Sequence, residues 1–346
     1  MAGPRWRSLA ITAVKSTVAI VVLWAVGRLV LRTYSDLQAR SESLHFEPQW
    51  LVGSAILYLA GLFACAVFYQ RILQSSPAPV ALLPAWRAYI VSHLAKYVPG
   101  KAMVVVVRSG MVVPYGGRAS TAAIATFYET LVMMCAGGLV AAAGFACGSQ
   151  IDTVKLALPG IDLANLPVYR VAALPALGLA LAFLVVVLPW VFVRVAGLVT
   201  LPIPGVGPDA LPNISPRLLA QGLFWCTGGW ILLGLSQLAV IRSFDPSGAD
   251  RVAALGLAPV VIASVALATV AGFVVAVLPG GLGVREGVLM WALAPALGPD
   301  HAVVAALSLR LVWVAAELVA AAIFFPSFRR ASADAGLPRD RDQHNP

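Results

Sequence analysis

Charge is almost absent from long stretches of this chain, and that absence decides which solvent it can fold in. Only 11% of its 346 residues are Asp, Glu, Lys or Arg, and 60% are hydrophobic, whereas soluble domains carry about 25% charged residues. So sparse an ionic surface excludes a disordered chain, a cytosolic enzyme and a secreted disulfide scaffold. The chain must use lipid as its main solvent, where the folding unit is a span of ~20 apolar residues.

Six such spans are expected, at about 10–31, 50–70, 120–146, 171–193, 218–241 and 302–325, before a polar tail over 326–346. Lys15 interrupts the first apolar run and no small-x-small cleavage pattern follows, so this run is expected to stay as an uncleaved span. Two further apolar stretches are interrupted. Residues 85–113 break at Pro99-Gly100, and residues 256–297 break at LPGGLGVREG, 278–287. Proline removes a backbone donor and glycine disfavours helix, so a helix must end at each. Backbone freed at membrane depth is tolerated only against protein or a water-filled cavity. Each stretch is therefore expected to form a helix–break–helix hairpin of the re-entrant kind. The arm before Pro279 is long enough to cross, which leaves eight crossings as the alternative count.

The order of parts repeats. Span, span, broken hairpin, span fills 10–146, and the same order fills 171–325. Each half has an odd number of crossings whether its hairpin turns back or spans, so the second half enters the membrane inverted. The expected fold is an all-α polytopic membrane protein: six full spans, two broken re-entrant hairpins and two inverted repeats. Transporters built this way place their sites at the repeat interface, on discontinuous helices. With the N-terminus inside, the inner segments hold eleven basic residues and the outer ones six. That asymmetry predicts both termini in the cytoplasm.

Ionisable side chains inside apolar spans cost roughly 2.5–3.5 kcal/mol each on insertion scales and mark pathways or pairs. Eight stand out: Lys96, Lys101, Arg108, Glu129, Arg285, Glu286, Arg310 and Glu317. Arg310 and Glu317 are two helical turns apart and share a face. Lys15 and Arg28 lie near span ends and can snorkel. A helix restarting after a break offers bare N–H groups and the positive end of its dipole, which suits an anion. Lys101 and Arg108 follow the first break; Gly280, Gly281, Gly283 and Arg285 follow the second. With Arg310, these form the candidate binding set for a phosphate or phosphodiester headgroup. Glu129, Glu286 and Glu317 are the candidates for balancing its charge.

Other chemistry is missing from the pattern. No cysteine belongs to a Cys-x-x-Cys pair and the four histidines lack ligand spacing, so no metal is expected. No P-loop or dinucleotide fingerprint is present, so no cofactor is expected. No dense basic run with interleaved aromatics points to nucleic acid. Twenty of the 24 basic residues are Arg, a composition in keeping with a GC-rich bacterial genome.

The segments YVPGKAMVVVVRSGMV (97–112) and LPGGLGVREGVLMW (278–291) resemble the two signature segments of a flippase-like membrane family. That family is named for the transmembrane region of lysylphosphatidylglycerol synthase, the bacterial multiple peptide resistance factor. The resemblance covers about 10–325. It implies a multi-pass protein of the bacterial inner membrane that moves or handles lipids, with Pro99, Gly100, Lys101 and Arg108 matching the first segment. Pro279, Gly280, Gly281, Gly283, Arg285 and Glu286 match the second. Only 21 residues follow Phe325, too few for an aminoacyl-transfer domain, so synthase activity is not expected.

The expected function is translocation of a lipid with an anionic or polyprenyl-phosphate headgroup, not catalysis. A membrane-embedded enzyme or enzyme subunit acting on lipid-linked sugars is the alternative, with Glu129, Glu286 or Glu317 as acid or base. A scaffold for a partner enzyme of lipid or cell-envelope synthesis ranks last, since it needs no buried charge.

Overall fold

The computed structural model describes residues 45–97, 102–148, 166–200, 210–275 and 283–334, the pairs 153–154, 157–158 and 161–162, and four isolated helical positions, Trp24, Arg28, Leu31 and Ser35. The fold is helical. α1 is Pro48–Gln74 and α2 is Leu82–His93, which tightens into a 3-10 turn over Leu94–Tyr97. α3 (Ala102–Val112) and α4 (Ala119–Ala146) complete the first half. Two-residue antiparallel pairings, 153–154 with 166–167 and 157–158 with 161–162, lie in the connection. The second half has α5 (Val168–Val187), α6 (Pro189–Thr200), α7 (Pro216–Phe244), α8 (Pro246–Ala254), α9 (Ala258–Val274), α10 (Val284–Leu297) and α11 (Pro299–Asp334).

Five helices are long and apolar enough to cross a membrane, or six if the bent pair α8–α9 counts as one span. They contain the runs expected at 50–70, 120–146, 218–241 and 302–325, and most of 171–193. The first expected span lies outside the described residues apart from Trp24, Arg28 and Leu31. Side chains such as Leu174, Leu181, Val185, Phe224, Val319 and Ile323 face outward, as lipid requires and water would penalise.

Three boundaries differ from expectation. The run at 171–193 is two helices, because Pro189 cannot donate to the turn before it and restricts Leu188. The last helix continues through Pro326 to Asp334, so the change to polar sequence near 326 is not a helix end. α9, at 17 residues, reaches only about 25 Å at 1.5 Å per residue, short of a ~30 Å hydrocarbon core. It meets α8 at 106°. Gly256, at φ +65, makes that corner, with Leu257 N–H reaching the Val252 carbonyl at 2.9 Å. This closure needs a left-handed residue, which glycine adopts without steric cost.

α1 and α7 run antiparallel through the centre. Glu47 N–H donates to the Ser243 carbonyl at 2.8 Å, Ser54 and Ser236 hydroxyls meet at 2.7 Å, and Asn213 N–H donates to the Ser75 carbonyl at 3.1 Å. Between these, the helices touch through glycine: a Cβ on Gly61 would lie 3.0 Å from the Gly229 carbonyl oxygen. Helices in lipid gain no hydrophobic drive toward each other, so close backbone approach and interhelical hydrogen bonds must hold them.

The remaining packing is reciprocal. α4 lies on α9 and α11 lies on α2; α3 packs on α4 and α10 on α11; α2 packs on α3 and α9 on α10. Both cross-half pairs are antiparallel. Gly137 meets Val270 and Gly144 meets Pro259, while His93 lies near Glu317 and the Trp86 ring lies tilted against Phe324.

At the α7–α8 corner, Asp245 caps α8. It accepts from Gly248 N–H at 2.8 Å and Ser247 hydroxyl at 2.9 Å, and its Oδ2 lies 2.8 Å from His301 Nδ1 on α11. Burial works to raise this carboxyl, but those two donors and the His301 charge prevail and hold it below the ordinary Asp value. A depressed folded value contributes stability that is present above the unfolded value near 3.9 and is lost as pH falls through the folded one. Asn can still cap a helix but carries no charge. Asp245→Asn is therefore expected to flatten the loss of thermal stability below about pH 4. Parallel acid curves for both proteins would remove the carboxylate from this role.

Candidate functional site

Helix periodicity places Tyr89, His93 and Lys96 on one face at the end of α2 and its 3-10 turn. The same periodicity aligns Arg310, Trp313 and Glu317 along α11. Arg108 of α3, Glu129 of α4, the first turn of α10 and Tyr58 of α1 complete the ring. These side chains surround a cavity of about 460 Å³. Its other end is apolar, lined by Val104, Phe127, Leu131, Met134 and Phe273, and there Phe127 is 55% exposed. The polar chamber thus continues into an apolar end that reaches the surface at Phe127.

Three ion pairs organise the chamber. Arg108 Nη1 donates to Glu129 Oε2 at 3.1 Å and its Nε donates to Ser92 Oγ at 3.0 Å. Tyr89 hydroxyl supplies Glu129 Oε1 at 2.9 Å, and the guanidinium lies 3.9 Å from the Tyr89 ring centroid. Both charged groups are buried, and each oxygen of the Glu129 carboxylate has a donor. In the second pair, Lys96 Nζ lies 2.5 Å from Glu317 Oε1, which the Tyr58 hydroxyl also supplies. His93 Nε2 is 4.0 Å from the same oxygen. In the third, Arg310 donates to Glu286 Oε1, and Glu286 Oε2 accepts from Gly283 N–H at 2.7 Å.

That last bond explains how α10 begins. Gly283, at φ +83, stands before the first turn, and Glu286 reaches back to its N–H as an N3 residue does in a capping box. Arg285 lies in the same turn with no carboxylate partner among the described residues; its guanidinium rests 4.4 Å over the Trp313 ring. A cation in the first turn of a helix opposes the dipole, which favours negative charge there. Arg285 is thus held by an aromatic face in a position that a bound anion would relieve.

The structure brings Arg108, Arg285, Glu286, Arg310 and Glu129 onto the lining of one cavity, with Glu317 buried beside it. Lys101, Gly280 and Gly281 lie outside the described residues, as do the Pro99-Gly100 and Pro279-Gly280 breaks. Gly283 does not offer its N–H to a ligand, because Glu286 occupies it. The three carboxylates do not pair with Arg285 either; each holds a different base. Tyr58, Tyr89, His93, Lys96, Tyr97 and Trp313 join the lining without having been singled out as site residues. The signal for three of them was present in the spacing 89, 93, 96 just before a break. Tyr58 and Trp313 had none, since ordinary core aromatics look the same.

Among the described residues no group of three His, Cys, Asp or Glu is placed to hold a metal. No family model matches this chain, and no curated protein matches it.

Proposed function

We propose that this protein is a flippase-like lipid translocator that admits an anionic or polyprenyl-phosphate headgroup into the cavity. The observation that carries the reading is Arg285: a cation without a carboxylate among the described residues, seated on Trp313 at a helix start, inside a chamber that opens through apolar side chains. Arginine offers parallel donors that match phosphate oxygens. The apolar mouth suits the chain of a lipid whose headgroup sits within.

The packing supports two inverted repeats, α1–α4 with the segment before them and α5–α11. Matching α1 to α7, α2 to α9, α3 to α10 and α4 to α11 turns each observed contact among these eight helices into an observed one. The matched pair α1 and α7 is antiparallel, as inversion about an axis in the membrane plane requires. With the excess of inner basic residues, this reading puts both termini in the cytoplasm of a bacterium. The resemblance of 97–112 and 278–291 to the synthase transmembrane family agrees with it.

The enzyme alternative is weaker on chemical grounds. Both oxygens of Glu129 and of Glu286 are occupied, and the hydroxyls of Thr126, Thr130 and Thr269 on the lining donate to their own helices. The test is reconstitution in liposomes with a labelled phosphate-headgroup lipid in one leaflet and an impermeant quencher outside. Quenching faster than in protein-free vesicles is expected for a phosphate lipid and not for an uncharged diacylglycerol analogue. Equal rates for all three preparations would overturn the reading.

A further inference from the structure

We infer that binding is coupled to protonation of Glu317: a headgroup with two negative charges brings one proton onto this carboxylate, and a headgroup with one does not. The inference rests on the phosphate-lipid reading above. Lys96, Arg108, Arg285 and Arg310 line the chamber against the carboxylates of Glu129, Glu286 and Glu317, with His93 counted as neutral. Among the described residues the chamber therefore holds one positive charge in excess. A phosphodiester, which carries one negative charge, neutralises it. A phosphomonoester dianion leaves one negative charge over, in a site where an uncompensated charge is costly.

Glu317 is the carboxylate built to absorb the difference. Arg108 cannot leave Glu129, because Ser92 and the Tyr89 ring fix its guanidinium as well. Glu286 has both oxygens engaged, one by Arg310 and one by the Gly283 N–H. Glu317 is fully buried; its Oε1 takes both Lys96 and Tyr58, whereas among the described residues Oε2 accepts no hydrogen bond. Its cationic partner is a lysine, a point charge on a flexible stem that can swing from one oxygen to another. Around Glu317 stand Tyr58 from α1, His93 and Lys96 from α2 and its turn, Tyr97 beside them, Arg285 from α10, and Arg310 on its own helix.

The exchange balances. Lys96 Nζ leaves Glu317 Oε1 for a phosphate oxygen. A hydronium ion or buffer acid from bulk solution gives its proton to Oε2, forming an O–H bond there and leaving water or the buffer base in the bulk. The Tyr58 hydroxyl continues to donate to Oε1. When the lipid departs, Lys96 returns and the proton goes to water on the side where the headgroup leaves. Movement of a phosphomonoester lipid is then a lipid–proton symport.

The test is calorimetric titration of the full chain in detergent at about pH 8, where a phosphomonoester is a dianion because its second pKa is near 6. Farnesyl phosphate serves as the monoester and dioctanoyl phosphatidylglycerol as the diester, each in two buffers of different ionisation enthalpy. About one proton taken up per farnesyl phosphate is expected in the wild type, none per diester, and none for farnesyl phosphate with Glu317→Gln. Saturable monoester binding without proton uptake overturns the coupling and leaves the phosphate-lipid reading standing. Uptake that persists in Glu317→Gln also overturns it, since the proton then sits on His93 or on the lipid. Failure of both lipids to bind the wild type overturns the phosphate-lipid reading itself. Should the variant not fold, wild-type affinity decides: a fall of about tenfold per pH unit above pH 8 for the monoester alone is expected, and a flat profile rejects the proposal.

Discussion

Arg285→Ala is expected to slow lipid movement in reconstituted vesicles by about ten- to a hundredfold, the equivalent of one charge-assisted hydrogen-bonding group at ~1.5–3 kcal/mol. Among the described residues no carboxylate neutralises Arg285, so a headgroup in the chamber would be its counter-ion. Arg285→Lys should recover only part of the rate, because an ammonium gives neither the parallel donors nor the stacking that places the guanidinium over Trp313. Trp313→Leu should fall between them: the charge stays, its platform goes, and the indole bond to Ser236 Oγ at 2.9 Å is lost. Arg28→Lys is the control. Its guanidinium lies over Trp24 at 5.3 Å, away from the chamber. The assay reads a leaflet label against an external quencher, with vesicle protein content matched. If Arg285→Ala moves lipid as fast as the wild type does, the headgroup site is elsewhere.

The long helices were legible in sequence because their signal is local, and the expected breaks rest on a signal of the same kind. The described helix ends at Tyr97 and begins again at Ala102, and α9 ends at Val274 while α10 begins at Val284; the two Pro-Gly steps themselves lie outside the described residues. An apolar run must bury its backbone polarity in helix wherever it meets lipid, and a Pro-Gly step defeats that whatever lies nearby. Pro189 carried the same message inside the run at 171–193, but hydropathy alone passes through a proline flanked by Leu188 and Trp190.

Pairing was not legible, because it is decided between helices. Arg310 and Glu317 lie on one face seven residues apart, the spacing that suggests partners, yet Arg310 takes Glu286 and Glu317 takes Lys96. The choice follows from α10 and α2 packing against different parts of α11. Gly283 is a different kind of miss. The pattern of a glycine followed three residues later by Glu286 already describes a helix start capped from within, and it competes directly with the use of that N–H for an anion.

Arg108→Met is expected to cost about 3–5 kcal/mol of stability, the loss typical when one partner of a buried pair is removed. The cause is the group left behind. Glu129 is 1% exposed and would keep the Tyr89 hydroxyl as a donor but no cation among the described residues. Replacing both partners, Arg108→Met with Glu129→Leu, removes the stranded charge and should restore most of the loss, since an apolar pair of similar volume can match a buried ion pair. Thermal unfolding in detergent measures all three proteins, and a double variant no more stable than Arg108→Met would reject the explanation. The same proteins separate two uses of charge in one chamber. Arg108 is already balanced by Glu129, so its positive charge is spent on holding α3 to α4. The double variant should therefore move lipid faster than Arg285→Ala does, although Arg108 lines the same cavity. A reversed order would mean that Glu129 releases Arg108 when the headgroup arrives, and would give the first break an equal share in binding.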